Sequence, residues 1–421
     1  MRPFIPIALL AGLVLLTITT AMAAPSPPPA ASPMPVVVIT NADKLNGYIA
    51  AADFLSHFTA MYSSASQLFA PSHDDDAVDL DLDLDQQHYL RKSPFFANKE
   101  EEKTTGHPHP PAFAVHCTVD DATTTFAQRV ADLGCIVHAV PTQSSEEQWH
   151  AAFTAATSSA SDAPLFLVYV PSMHAGIAGD ASAALAAAAK MPTFTHAVVW
   201  SRVGADSAGS QEMHDLEAFG WYAALEKAAV ASLAAESGRM TVLRLAFALE
   251  RFLDLAADIE DMAALRFNLG DKGVLFPITL HDAVWASRNV LVYASEKSLD
   301  EHRIKSVMHL TTQQPHTGQS LAQAATDGLK RAGVLTRPIR YEPLSRDQAE
   351  QLFMSQENVT PDLVTVLADV FECATRPGAA CQQVAPIEEV KALMGGGDRA
   401  MRDPAWVFER YAEYFTPGGL L

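Results

Sequence analysis

The chain has 421 residues, 49% of them hydrophobic, with 29 Lys and Arg against 49 Asp and Glu. That length can bury a large core, and the formal net charge of −20 argues against nucleic acid or an anionic lipid surface as a partner. No C-x-x-C pair and no H-E-x-x-H helix occurs, so no metal site is expected.

At the N-terminus, Met1-Arg2 precedes an apolar stretch from Phe4 to about Ile18, followed by the small residues of Ala21-Met22-Ala23. This reads as a signal peptide over residues 1–23, cleaved after Ala23, and places the protein in the secretory pathway. The alternative is an uncleaved anchor, since the apolar run is nearly long enough to span a bilayer. Residues 24–34 are a Pro-rich tether.

Pro35–Phe58 is the stretch around which the chain is organised. Val36, Val37, Val38 and Ile39 form a short β-branched run. After Thr40-Asn41-Ala42-Asp43-Lys44, apolar residues recur at helical spacing through Leu45, Ile49, Ala52, Leu55 and Phe58. A strand, a tight loop and a helix open a doubly wound α/β fold. In such a unit the loop and the helix N-terminus face a dinucleotide pyrophosphate, normally with three glycines. Gly47 holds the third position, while Asn41 and Lys44 hold the first two. Either the phosphate site is weak and altered, or the unit is a buried strand without one.

From about residue 63 to 111 the pattern breaks into an insert rich in Asp, then in Glu and Lys. A solvated, disordered acidic loop is the expectation. The alternating run Asp79 to Asp85 also has the pattern of an edge strand, and it lacks the glycine turn and terminal Glu of a calcium loop.

Strands and helices then alternate. Phe113–Val119 reads as a strand ending at Asp120, with a helix through Phe126, Val130 and Leu133 to Gly134. Cys135–Val140 is the next strand, and the helix from Ser145 to Ala156 opens with capping residues. Pro164–Val170 is a strongly apolar strand. Ala181–Lys190 is a helix, His196–Ser201 a strand, Leu216–Ser237 a long helix and Met240–Leu245 a sixth strand. This alternation predicts a parallel sheet covered on both faces. Beyond it the pattern loosens: a mixed stretch over Phe247–Leu265, a strand near Val274–Ile278, a helix at Asp282–Ala294 and a strand at Ser306–Leu310. A helix at Ser320–Ala332 and a short strand at Ile339–Pro343 follow. The division is a Rossmann-type domain over 35–310, a smaller mixed α/β cap over 311–383 and a helical tail over 384–421, with an aromatic helix from Trp406 to Phe415.

Cys373 and Cys381 flank a short loop containing Pro377-Gly378 and are placed to close as a local disulfide. Cys117 and Cys135 fall on two core strands and read as buried thiols. Asn358-Val359-Thr360 is a glycosylation sequon.

Several stretches together resemble the NmrA-like family of atypical short-chain dehydrogenases/reductases. His196 to Gly204 (HAVVWSRVG) is similar to the family's fifth-strand signature, and Leu243 to Leu253 (LRLAFALERFL) to its "lRpgfFmEnfl" stretch. Pro277 to Ala283, His309-Leu310-Thr311 and Pro338 to Leu344 resemble its later elements. The likeness covers roughly 35–58 and 112–370. It implies a Rossmann-type domain that binds NAD or NADP, in a family whose members range from reductases to non-catalytic regulators.

The resemblance carries Lys227 onto the position of the lysine that holds the nicotinamide ribose. The residue four before it is Ala223 rather than Tyr. Tyr222 is displaced by one, which turns it by about 100° on a helix. Arg202 stands where the family has a serine. No catalytic residue is therefore assigned. The expected cofactor-binding residues are Thr40, Asn41, Lys44, Gly47, Asp120, Pro171 and Lys227. Asp120 favours NAD over NADP, because a carboxylate repels a 2′-phosphate and accepts from ribose hydroxyls; alternatively it caps the following helix. Lys227 is equally readable as a solvated helix-face lysine.

The reading that results is a secreted NmrA-like protein with a degraded dinucleotide site, catalytically weak or inactive, binding a dinucleotide-like ligand or a protein partner. The alternatives are an active NAD(P)-dependent reductase of small carbonyls or quinones using Tyr222 or His174, and a scaffold whose acidic insert meets a cationic partner.

Overall fold

The computed structural model describes residues 34–42, 44–55, 113–158, 162–233, 239–295, 305–334, 337–356, 359–395 and 400–416. The signal peptide, almost all of the Pro-rich tether, the acidic insert, Asn358 and Gly396-Gly397 lie outside the described residues.

Seven strands form one parallel sheet: β1 (Val36–Ile39), β2 (Ala114–Val119), β3 (Ile136–Ala139), β4 (Leu165–Tyr169), β5 (Phe194–Arg202), β6 (Met240–Leu245) and β8 (Val307–Leu310). Their spatial order is β3-β2-β1-β4-β5-β6-β8, so β1 is central. It pairs in parallel with β2 (Val36 opposite Ala114) and with β4 (Val36 opposite Leu165). The chain grows outward in one direction from β1 to β3 and in the other from β4 to β8. The order therefore reverses between β1 and β4, where a doubly wound sheet opens its crevice beyond the strand carboxyl ends.

β1 is apolar on both faces because both are covered. Val37 and Ile39 belong to one core with Val115, Val168 and Trp200, and Val36 and Val38 to the other with Leu167, Tyr169 and Val199. Helix α1 (45–55) follows β1. Helix α2 (Thr125–Asp132) is capped by Thr124, whose hydroxyl accepts from Ala127 N, and the chain leaves it through Gly134 at φ 96°. Helix α3 (Glu146–Thr157) starts in a capping box of Ser145 and Gln148. Helices α4 (Ile177–Ala189) and α5 (Glu217–Ser232) complete the alternation.

The segment after β6 departs from the expected elements. A 3-10 stretch, Leu249–Leu255, runs into α6 (Ala256–Met262) and a strand that periodicity did not reveal, β7 (Ala264–Phe267). β7 pairs in parallel with β9 (Arg340–Pro343) as a separate two-stranded sheet. Val274–Ile278 is not a strand: only isolated bridges form there, Leu275 to His316 and Ile278 to Ala248. Helix α7 (Leu280–Ser295) lies against β5 and β6, where Trp200 Nε1 donates to Ser287 Oγ, while α8 (Gly318–Arg331), α9 (Arg346–Met354) and α10 (Pro361–Thr375) pack around a cluster of rings in which Phe267 and Phe371 stack at 4.5 Å. After α11 (Ile387–Leu393), the final aromatic segment divides at Tyr411 into α12 (Pro404–Arg410) and a 3-10 turn, Ala412–Phe415. α12 lies so close to α8 that a Cβ on Gly328 would meet Ala405 O at 2.2 Å.

All four cysteines are paired. Cys373–Cys381 forms as expected. Cys117 and Cys135 are not thiols but a second disulfide. The β2–β3 register sets Cys117 opposite Val137 and brings the residue just before β3 within 6.0 Å, Cα to Cα, a spacing that a disulfide spans.

A candidate ligand cavity at the carboxyl ends of the sheet

At the end of β1 the Thr40 hydroxyl donates to Val170 O (3.0 Å) and accepts from Val170 N (2.8 Å), tying the exit of β1 to that of β4. Asn41 follows in the left-handed region at φ 55°, which Asn tolerates better than other non-glycine residues. Its side-chain amide donates to Val170 O at 2.6 Å. Lys44 N donates to Asn41 O, and Tyr48 N to Lys44 O, closing the first turn of α1. A Cβ on Gly47 would lie 2.0 Å from Asn41 O and 2.8 Å from Thr40 O, so only glycine lets the helix sit this close to the loop.

This turn forms one wall of a cavity of about 800 Å3, within the size range of small-molecule and cofactor sites. Asn41, Lys44, Gly47, Asp120 and Pro171 all line it. Thr40 is fully buried behind the wall as a brace. Lys227 is exposed on α5 and does not line the cavity. Its helix packs Tyr222, Leu225 and Ala229 on one face of the sheet, whereas Ile49 and Leu55 of α1 pack on the other.

Asp120 does not cap α2, since Thr124 does. Its carboxylate accepts from Thr142 N (2.5 Å) and faces the Lys44 ammonium at 3.6 Å, both side chains partly exposed. On the β4 side, His174 lines the cavity. Its Nδ1 accepts from Gly176 N (2.9 Å) and its Nε2 meets Asp180 at 2.9 Å. Asp180 also accepts from Gln143 N, a residue at φ 64°.

The opposite wall was missed by sequence reasoning. It comes from the 3-10 stretch after β6 and the N-terminus of α10: Arg251, Asp254, Thr360 and Asp362 among others. Arg251 Nη1 donates to Asp254 at 2.9 Å, both side chains only 8% exposed, and Arg251 Nε has no partner. Burial raises the Asp254 carboxyl above its ordinary range, and the Arg251 charge opposes that rise. The signal lay in the stretch Leu243 to Leu253, where an Arg stands among apolar residues with an Asp three positions on.

At the end of β5 the polar side chains bond one another. Ser201 donates to Glu226 at 2.6 Å. Arg244 forks onto Glu226 through Nε and Nη2 (2.9 and 2.7 Å) and reaches Asp206 through Nη1 (2.7 Å). Tyr222 is buried with the Arg202 guanidinium 5.3 Å from its ring centre, and it does not line the cavity. The described residues thus combine a preformed cradle with no tyrosine facing it.

The sheet order and this crevice define a Rossmann-type α/β protein. No family model matches the chain, and no curated protein matches it. Among solved structures the chain is similar to the Citrobacter sp. triphenylmethane reductase complexed with NADP(H), at 14% identity over 89% of this chain and 99% of that one, with a TM-score of 0.55. It is also similar to the NADPH-dependent quinone oxidoreductase QOR2 of Escherichia coli (17% identity, 89% and 98% covered, TM-score 0.52). A third is Nmra, a negative transcriptional regulator in complex with NAD (11% identity, 90% and 94% covered, TM-score 0.51). Its structural neighbours are thus NmrA-like and NAD(P)-binding proteins, and at these identities what they share with it is the fold.

Proposed function

We propose that this chain is a divergent NmrA-like protein of the secretory pathway. It takes a nicotinamide dinucleotide, or a ligand of that shape, in the cavity beside Gly47, and it is a weak or inactive reductase. The observation that carries this reading is the Gly47 contact: an added Cβ would strike Asn41 O, so glycine here keeps the close helix–loop packing that sets the N-terminus of α1 in the cavity wall, where a pyrophosphate would sit. Asn41, Gly47 and the N-terminus of α1 would hold the pyrophosphate, Lys44 would offset its charge, and Asp120 would meet the ribose, favouring NAD. A bound nicotinamide supplies hydride chemistry. The proton donor that reduction also requires is missing from the position the family resemblance gives it, which is the basis for weak activity. Two disulfides fit an oxidising compartment.

The test is thermal unfolding of the purified full-length protein with NAD, NADH, NADP and NADPH. A ligand at one hundred times its dissociation constant adds about 2.7 kcal/mol, so at least one should raise the melting temperature by several degrees. No shift with any of the four rejects dinucleotide binding.

A second reading, an active reductase, has one observation in its favour: His174, held by Asp180, lines the cavity and can exchange a proton. NADH- or NADPH-dependent reduction of quinones or small carbonyls, lost in His174→Ala, would establish it in place of the inactive reading.

A further inference from the structure

We propose that Arg251 anchors the carboxylate of a small organic acid seated in the cavity beside the dinucleotide. The dinucleotide's place in this arrangement rests on the reading above; the anchor itself does not.

Arg251 is the most deeply buried cation in the cavity wall. Its side chain is 8% exposed, against 46% for that of Lys44. A guanidinium carries five donors in a rigid fork. Here Nη1 is engaged by Asp254, while Nε is buried without a partner. A buried ion pair is a poor source of stability by itself. A group of this kind in a cavity wall is therefore better matched to a ligand than to the fold alone. With Asp254 holding Nη1 and fixing the plane of the guanidinium, and Nε enclosed by protein, Nη2 is the nitrogen left to donate to a carboxylate oxygen.

Charge narrows the ligand class. The wall holds three basic side chains, Lys44, Arg129 and Arg251, and three carboxylates, Asp120, Asp254 and Asp362. With Asp254 already neutralising part of the Arg251 charge, no cationic excess is left for a second multiply charged anion. A single carboxylate is what the balance admits.

The experiment is calorimetric titration of the full chain, with and without NADH, at fixed ionic strength. The probes are the monocarboxylates benzoate and propionate, their uncharged counterparts benzamide and propionamide, and inorganic phosphate. At least one carboxylate should bind at least tenfold more tightly than its amide and than phosphate. Arg251→Lys keeps the charge facing Asp254 but loses the fork, and should weaken carboxylate binding at least tenfold while leaving the NADH-induced thermal shift unchanged. Arg251→Gln combined with Asp254→Asn removes both charges together and should abolish carboxylate binding in a chain that folds, as judged by circular dichroism.

The proposal is overturned if no carboxylate binds, if amide or phosphate binds equally well, or if both variants bind like the wild type. It is also overturned if neither variant folds, which would make the pair purely structural. Carboxylate binding that persists without any NADH shift would reject the dinucleotide reading and leave the anchor standing.

Discussion

The turn after β1 and the end of β5 lie on the same edge of the sheet, separated only by β4, and they differ in what their residues do. At β1 two glycines of the usual three are gone, yet the backbone holds its course. Asn41 takes the left-handed conformation that glycine would take, and Gly47 remains where contact with Asn41 O forbids a Cβ. At β5 the polar side chains bond one another: Ser201, Glu226 and Arg244 from within, with Asp206 joining them from the surface. A cradle is a property of backbone and survives substitution by any residue that tolerates its dihedral angles. A proton-transfer site is a property of particular side chains and does not.

The sharpest way to break this contrast is at Glu226. Arg244 and Glu226 are both mostly buried, at 9% and 13% side-chain exposure. Glu226→Ala leaves a buried guanidinium with half its partners, and the expected loss of stability is about 3 to 5 kcal/mol, read by urea unfolding. A loss below 1 kcal/mol would mean that the network is loosely held and that the β5 end is open to ligand. On the other side of the contrast, Gly47→Ala drives a methyl into backbone at 2.0 Å. About 3 kcal/mol of destabilisation is expected, with any dinucleotide-induced thermal shift lost as well. A stable variant that still binds would show that the cradle is not what holds the ligand.

Much of the contrast was legible in the sequence. The β-branched and apolar runs of β1, β4 and β6 alternate with helical periodicity, and Gly47 stands at the spacing the turn requires. What stayed hidden depends on partners distant in the chain. β7 (Ala-Leu-Arg-Phe) is four residues long, and its pairing partner β9 lies more than 70 positions on, so nothing local marks it. Val274–Ile278 has the composition of a strand but finds only isolated bridges. Cys117 and Cys135 looked like separate buried thiols because their closeness is set by the β2–β3 register. Arg251 and Asp254 reach the cavity only because the chain after β6 folds back over it.

The cradle also has a titratable backing. Glu250, fully buried beside α1, accepts from Leu280 N. Burial raises its carboxyl to about 8, with Asp282 and Asp53 adding to the rise and the Leu280 N–H opposing it. In the unfolded chain it ionises near 4.5, so between these values the native state binds the extra proton. Stability from this group is therefore full below pH 4.5 and falls as pH rises toward 8, by up to about 1.4 kcal/mol per unit. Glu250→Gln should flatten that slope in melting curves recorded from pH 5 to 8.5. An unchanged slope would place the titration elsewhere.

The smallest effect is expected one residue from the largest. Lys227 follows Glu226 on α5 and is exposed, outside the cavity. Exposed substitutions away from caps and buried partners stay within about 0.5 kcal/mol, so Lys227→Ala should leave both the unfolding midpoint and any nucleotide-induced thermal shift as they are. A lysine that held the nicotinamide ribose would behave otherwise: its removal would spare stability but erase much of the shift. Such a loss would mean that α5 moves toward the cavity when ligand binds and that the β5 end retains part of a reductase site, whereas an unchanged shift leaves ligand holding to the β1 turn.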